Sequence, residues 1–189
     1  MKRSVWMMTA ALLAAPVLAN AQVAEPPKTV RPDQLAFRDL YKELVEINTT
    51  LSVGSCTQAA EAMGARLKAA GFPAEDVKVV VADGHPKEGS LVAILHGTDP
   101  KSKPMLLLAH IDVVEANRAD WTRDPFKLVE ENGYFFGRGT SDDKAQAAIW
   151  VDSLIRLKQA GYKPARDIKL ALTCGEESED YNGIEDLVK

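Results

Sequence analysis

The chain has 189 residues, 23 Lys and Arg against 27 Asp and Glu, a formal net charge of −4 and 46% hydrophobic residues. Setting aside an N-terminal leader and the Pro-rich stretch after it leaves about 160 residues, enough for one domain with a proper core and little more. The mildly acidic balance, with no basic run to track phosphates, argues against nucleic acid as a partner.

Lys2 and Arg3 precede an apolar run from Val5 to Leu18, and Ala19-Asn20-Ala21 follows with the small-x-small pattern of a signal-peptidase site. The run is shorter than the roughly 20 residues a spanning helix needs. Residues 1–21 are therefore expected to be a cleaved signal peptide, with no stable membrane insertion afterwards, and the mature protein to be periplasmic or extracellular. Residues 22–31, around Pro26-Pro27, read as a linker, and 32–189 as the folded domain. Cys56 and Cys174 could pair in an oxidising compartment, but two scattered thiols make no disulfide framework and are read as free packing residues.

Pro32 to Ile47 carries Leu35, Leu40, Leu44 and Ile47 on one helical stripe. After a polar loop from Asn48 to Ser55, Thr57 to Ala70 reads as a second helix stopped by Gly71. Val77 to Val81, Leu91 to Leu95 and Met105 to Ala109 are short apolar runs bounded by Gly, Pro and Asp, the pattern of buried strands. Lys127 to Phe136 predicts a hairpin turning at Asn132-Gly133. A long helix follows from about Asp143 to Ala160, closed by Gly161; Ile168 to Thr173 is another strand, and Ile184 to Lys189 opens a last helix. Strands separated by helices predict an α/β fold, a three-layer sandwich with a mostly parallel sheet.

Three groups of polar residues follow these elements. His110-Ile111-Asp112 lies at the carboxyl end of a strand, where open α/β sheets place ligands. Imidazole is a common zinc ligand whose second nitrogen usually meets a carboxylate, a part Asp112 can play, although a loop histidine beside a solvated aspartate explains the pair more simply when it is taken alone. Gly137-Arg138-Gly139-Thr140-Ser141-Asp142-Asp143-Lys144 leads into the long helix, and helix capping accounts for one of its aspartates. Glu176-Glu177 follows the last strand, with an acidic helix start as the alternative. Together, one histidine and several carboxylates suit two divalent ions about 3.5 to 4 Å apart sharing a carboxylate. His85 and His96 read as surface or capping residues.

Ala109 to Val114, Trp121 to Phe126, Gly137 to Lys144 and Thr173 to Ser178 resemble, in order and spacing, the M20 metallopeptidases: carboxypeptidase G, aminoacylase, succinyl-diaminopimelate desuccinylase and carnosinase-like dipeptidases. The resemblance implies two Zn2+, with Co2+ or Mn2+ also accepted. It implies that His110, Asp142 and Glu177 are metal ligands with Asp142 bridging, that Asp112 orients His110, and that Glu176 is the general base. Asp143 is then no ligand, and the Asp142–Asp143 peptide is a candidate for the cis form. Trp121 could line a substrate pocket or simply pack, and Ala145 stands where the family usually has glycine.

The implied reaction is hydrolysis of a peptide or N-acyl amide bond, with peptides or N-acyl amino acids as substrates. The resemblance also implies that one more ligand for each metal, and a lid domain through which full-length homologues dimerise, would lie beyond Lys189. The chain as given is accordingly expected to be truncated, to bind metal weakly and to be inactive alone. A non-catalytic exported protein that binds a metal or a partner through its acidic loops is the alternative. A metal-independent serine hydrolase finds no Gly-x-Ser-x-Gly elbow to support it.

Overall fold

A computed structural model describes residues 29–178 and 181–188. The chain divides into two units, Met1–Val30 and Arg31–Lys189, and the fold below is that of the second. The expected signal peptide, and most of the expected linker, lie outside the described residues. No helix among the described residues is long and apolar enough to cross a membrane.

Helix α1 spans Pro32–Glu46 and starts with proline, whose missing N–H costs nothing there. The Arg31 amide donates to Gln34 Oε1 at 3.0 Å. Its buried stripe is Leu40, Tyr41, Leu44 and Val45, whereas Leu35, placed on the stripe from sequence, is 55% exposed. Helix α2 spans Cys56–Ala69, with Ser55 Oγ accepting the Gln58 amide at 3.2 Å as its N-cap. Helix α3 covers Lys144–Gln159, and a short helix α4 covers Ile184–Leu187.

Strands β1 (Val77–Val80), β2 (Ser90–Leu95), β3 (Met105–His110) and β6 (Ile168–Thr173) form one sheet in the order β1-β2-β6-β3. A separate hairpin pairs β4 (Val129–Glu131) with β5 (Tyr134–Phe136). Its two turn residues, Asn132 and Gly133, both have positive φ, at 52° and 80°, as the sequence anticipated.

The α/β class holds, and the sheet is mixed: β1–β2 and β2–β6 run antiparallel, and β3–β6 is the parallel pair. Alternation along the strands places Leu91, Ala93, Leu170, Leu172 and Leu107 on one face, packed with α1, α2 and α3 in a single core. Leu106, Leu108, Val92 and Ile94 point the other way, outside that core. One helical layer of the expected three-layer sandwich is thus present among the described residues.

The reading of Cys56 and Cys174 as free is corrected. They form a disulfide, with Cα atoms 6.0 Å apart and a sequence separation of 118. The pairing follows from packing, since the first residue of α2 lies over the residue that follows β6, and both are buried.

Candidate metal centre

Parallel pairing of β3 with β6 places the two loops of interest side by side. His110 stands opposite Thr173 in the last register of the ladder, and the Ile111 amide extends it by donating to the Thr173 carbonyl at 2.8 Å. Both chains leave the sheet there, so His110-Ile111-Asp112 and Cys174-Gly175-Glu176-Glu177 emerge together. The polar loop after α1 braces the first of them: Thr49 Oγ1 donates to the Ile111 carbonyl at 2.6 Å, and the Val113 amide donates to the Thr49 carbonyl at 3.3 Å.

The third segment arrives at the N-terminus of α3. Lys144, the first residue of that helix, is fully buried, and its Nζ donates to the Ile47 carbonyl at the end of α1, 2.7 Å away. Burial pushes this amine down to about 7, against the opposite pull of the Asp112 carboxylate. The Asp142–Asp143 peptide is cis. Asp143 occupies the N-cap position without making a side-chain cap, so capping does not explain it. Its Oδ2 instead accepts the His110 amide at 3.4 Å.

These segments surround one imidazole. His110 Nε2 lies 3.0 Å from Asp142 Oδ1 and 3.7 Å from Glu176 Oε2. On the other side, Nδ1 faces the Asp112 carbonyl at 3.2 Å and Asp112 Oδ1 at 3.5 Å. Asp112 Oδ2 accepts the Glu177 amide at 2.8 Å, while the buried Oδ1 has no hydrogen-bond partner among the described residues. One ligand atom each from His110, Asp142 and Glu177 lie within 4.8 Å of one another. Asp142 and Glu176 are open to solvent, with side chains 77% and 61% exposed, whereas that of His110 is 10% exposed. Functional groups thus sit on a buried base with an accessible rim.

Electrostatics follow the geometry. Burial alone would lower the His110 pKa, but the Asp112, Asp142 and Glu176 carboxylates outweigh it and raise it to about 9. Burial would raise Asp112, but His110 and the Glu177 amide outweigh it and hold that carboxyl below its usual value. Burial raises Asp143 and Glu177. With Nδ1 turned to Asp112, Nε2 can face the Asp142 carboxylate at 3.0 Å only with a positive species between them. A proton is one such species, and the same position suits a divalent cation. An imidazole and two carboxylates make a donor set that zinc, cobalt and manganese all accept.

The remaining candidates lie elsewhere. His96 is engaged with Asp76 at 2.9 Å and Asp167 at 3.7 Å, and His85 stacks on Tyr181 with centroids 4.2 Å apart. Trp121 is held by Arg138, whose guanidinium lies 5.2 Å above its ring. Sequence reasoning did not find the structural roles of Lys144 and Asp143, or the disulfide beside Asp112. Only the even cysteine count of a chain read as exported hinted at the last.

Residues 106–189 match the model of peptidase family M20/M25/M40. The human N-fatty-acyl-amino acid synthase/hydrolase is 30% identical over 155 residues, covering 81% of this chain and 31% of that protein. The Beta-Ala-Xaa dipeptidase of Lactobacillus delbrueckii subsp. lactis is 39% identical over 88 residues, covering 46% of this chain and 18% of that one. Human carnosine dipeptidase 1 superposes with a TM-score of 0.62 at 26% identity, covering 82% of this chain and 35% of that one. The chain spans about a fifth to a third of the length of the curated relatives it matches. The matched segment begins inside β3 and includes His110, Asp112, Asp142, Glu176 and Glu177, so over residues 106–189 this chain is similar to peptidase family M20/M25/M40.

Proposed function

We propose that the chain contributes the metal centre of an exported dinuclear-zinc hydrolase that cleaves a peptide or N-acyl amide bond. The observation that carries this reading is the convergence of His110, Asp142 and Glu177 within 4.8 Å, on strand ends and a helix start that their sequence positions would not bring together by chance. Among the curated relatives are a dipeptidase, a desuccinylase and an N-fatty-acyl-amino acid synthase/hydrolase, all names that fit amide substrates.

His110 through Nε2, Asp142 and Glu177 would hold the metal. When bound, such ions supply Lewis acidity to a carbonyl oxygen and lower the pKa of water. Asp112 fixes the face that His110 presents, since it meets Nδ1 and is itself anchored by the Glu177 amide. Glu176, exposed on the rim, would accept a proton from an attacking water and return it to the leaving nitrogen, which balances the hydrolysis. Export is supported by the apolar leader and by a disulfide, which persists in oxidising compartments.

Zinc titration of the chain against a chelating dye separates ligand from base. His110→Ala is expected to abolish zinc binding, and Glu176→Gln to leave it intact. Zinc binding that survives His110→Ala would overturn the ligand assignment, and its loss in Glu176→Gln would make Glu176 a ligand instead of the base.

A further inference from the structure

The disulfide lies against the metal centre. Cys56 and Cys174 are 2% and 4% exposed, Asp112 is 6% exposed, and both sulfurs lie within 4.8 Å of an Asp112 carboxylate oxygen. Cys174 is the first residue after β6, two before Glu176 and three before Glu177. Cys56 opens α2 from the other side, next to the Asn48–Ser55 loop that braces Ile111 and Val113. A small cavity lies between these parts, walled by Thr49, Cys56, Asp112, Cys174 and Glu177.

Contacts on both sides of the Gly175–Glu177 turn tie it to the body of the domain. The Cys174 amide donates to Ser90 Oγ at 3.3 Å and its carbonyl accepts the Gly183 amide at 2.8 Å, both before the turn. Within the turn, the Glu177 amide donates to Asp112 Oδ2 at 2.8 Å. That contact couples the turn to the residue that meets His110 Nδ1.

We infer that the Cys56–Cys174 disulfide is a positioning element of the metal centre, seating the Gly175–Glu177 turn on Asp112 so that His110 and Glu177 face the same cation. Cys56 and Cys174 touch no reacting atom. They act through Asp112, and partners of that kind typically change metal affinity about 10- to 100-fold.

The test compares the oxidised wild-type chain with Cys56→Ala/Cys174→Ala and with Leu67→Ala, a core change about 16 Å along α2 from Cys56. Amide hydrogen exchange and zinc affinity are read for each. In the double variant, exchange at the Glu177 amide is expected to rise about tenfold or more while the Leu170 amide in β6 keeps its protection. Zinc affinity should fall about 10- to 100-fold. Leu67→Ala, which loosens the core without touching the turn, should leave both unchanged relative to its own global stability. Should the double variant fail to fold, the wild type is reduced with dithiothreitol. That reagent gives two electrons and two protons to Cys56 and Cys174 and closes to its cyclic disulfide, and only Glu177 exchange is then read because it also binds zinc.

Exchange that rises equally across the domain would overturn the inference, as would unchanged zinc affinity in a folded double variant. A gain of zinc on reduction with a chelator-free phosphine, with both thiolates joining Asp112, would overturn it as well. The inference rests on the metal-centre reading for its affinity arm alone. If the wild type binds no zinc, the proposed function falls and Glu177 exchange decides the inference.

Discussion

Gly175 shows how narrowly the site is built at the level of single residues. Its φ is +93°, and a Cβ placed there would lie 2.0 Å from the Tyr181 carbonyl oxygen. The left-handed conformation alone costs a side chain about 1–2 kcal/mol, and the contact with backbone adds to it because backbone cannot rotate away. Gly175→Ala is therefore expected to destabilise the chain by at least about 1–2 kcal/mol and to weaken zinc binding, because Glu176 and Glu177 are carried by the displaced turn. Urea unfolding and zinc titration check this, and a variant with wild-type values for both would contradict the strained turn. The three groups of candidate residues were legible in the sequence because each follows a readable strand or leads into a readable helix. Through-space partnerships were not. That Asp143 receives the His110 amide, or that Lys144 reaches Ile47 across 97 positions, follows from packing that no local pattern encodes.

Among elements, the parallel β3–β6 pair does the assembling, and its two strands were both readable as apolar runs. Their pairing order was not, since apolar runs fix neither neighbour nor direction, and two of the sheet's three pairings are antiparallel. At the opposite end of β2, His96 joins three elements by reaching Asp76 before β1 and Asp167 before β6. Lys158 and Lys163 line the same depression. The hydrogen bond to Asp76 raises the His96 pKa above its ordinary value, with burial opposing and Asp167 adding to the rise. A raised folded pKa gives stability that is full below the unfolded value of about 6.5 and is lost as pH rises through the folded value. Thermal melts of wild type and His96→Gln should therefore differ most in mildly acidic buffer and converge as pH rises. The side chain is 60% exposed, so the difference should be small and shrink further in 1 M salt. A difference that grows with pH would show that the histidine is not stabilised in its charged form.

Over the whole molecule, the sheet separates two environments. Its helix-covered face is the core, and the same alternation leaves Ile94, Lys169 and Leu106 in one row across the other face and Val92, Ala171 and Leu108 in the next. His110 and Thr173 continue that face towards the metal centre, so the site stands at the end of an apolar surface. Leu106 and Leu108 are 58% and 44% exposed, and a contiguous apolar patch on an edge strand drives association when nothing covers it. Because those side chains already stand in water, replacing them removes little burial. Leu106→Lys/Leu108→Lys should keep folding stability within about 0.5 kcal/mol per site, while the concentration-dependent self-association expected of the wild-type chain in sedimentation falls. Lys169 already stands beside Leu106 on that face, so added positive charge both hydrates the strand and sets copies against one another. If the double variant lost several kcal/mol, the face would have to be part of the buried core; if wild type and variant sedimented alike as monomers, the patch would be too small to drive association.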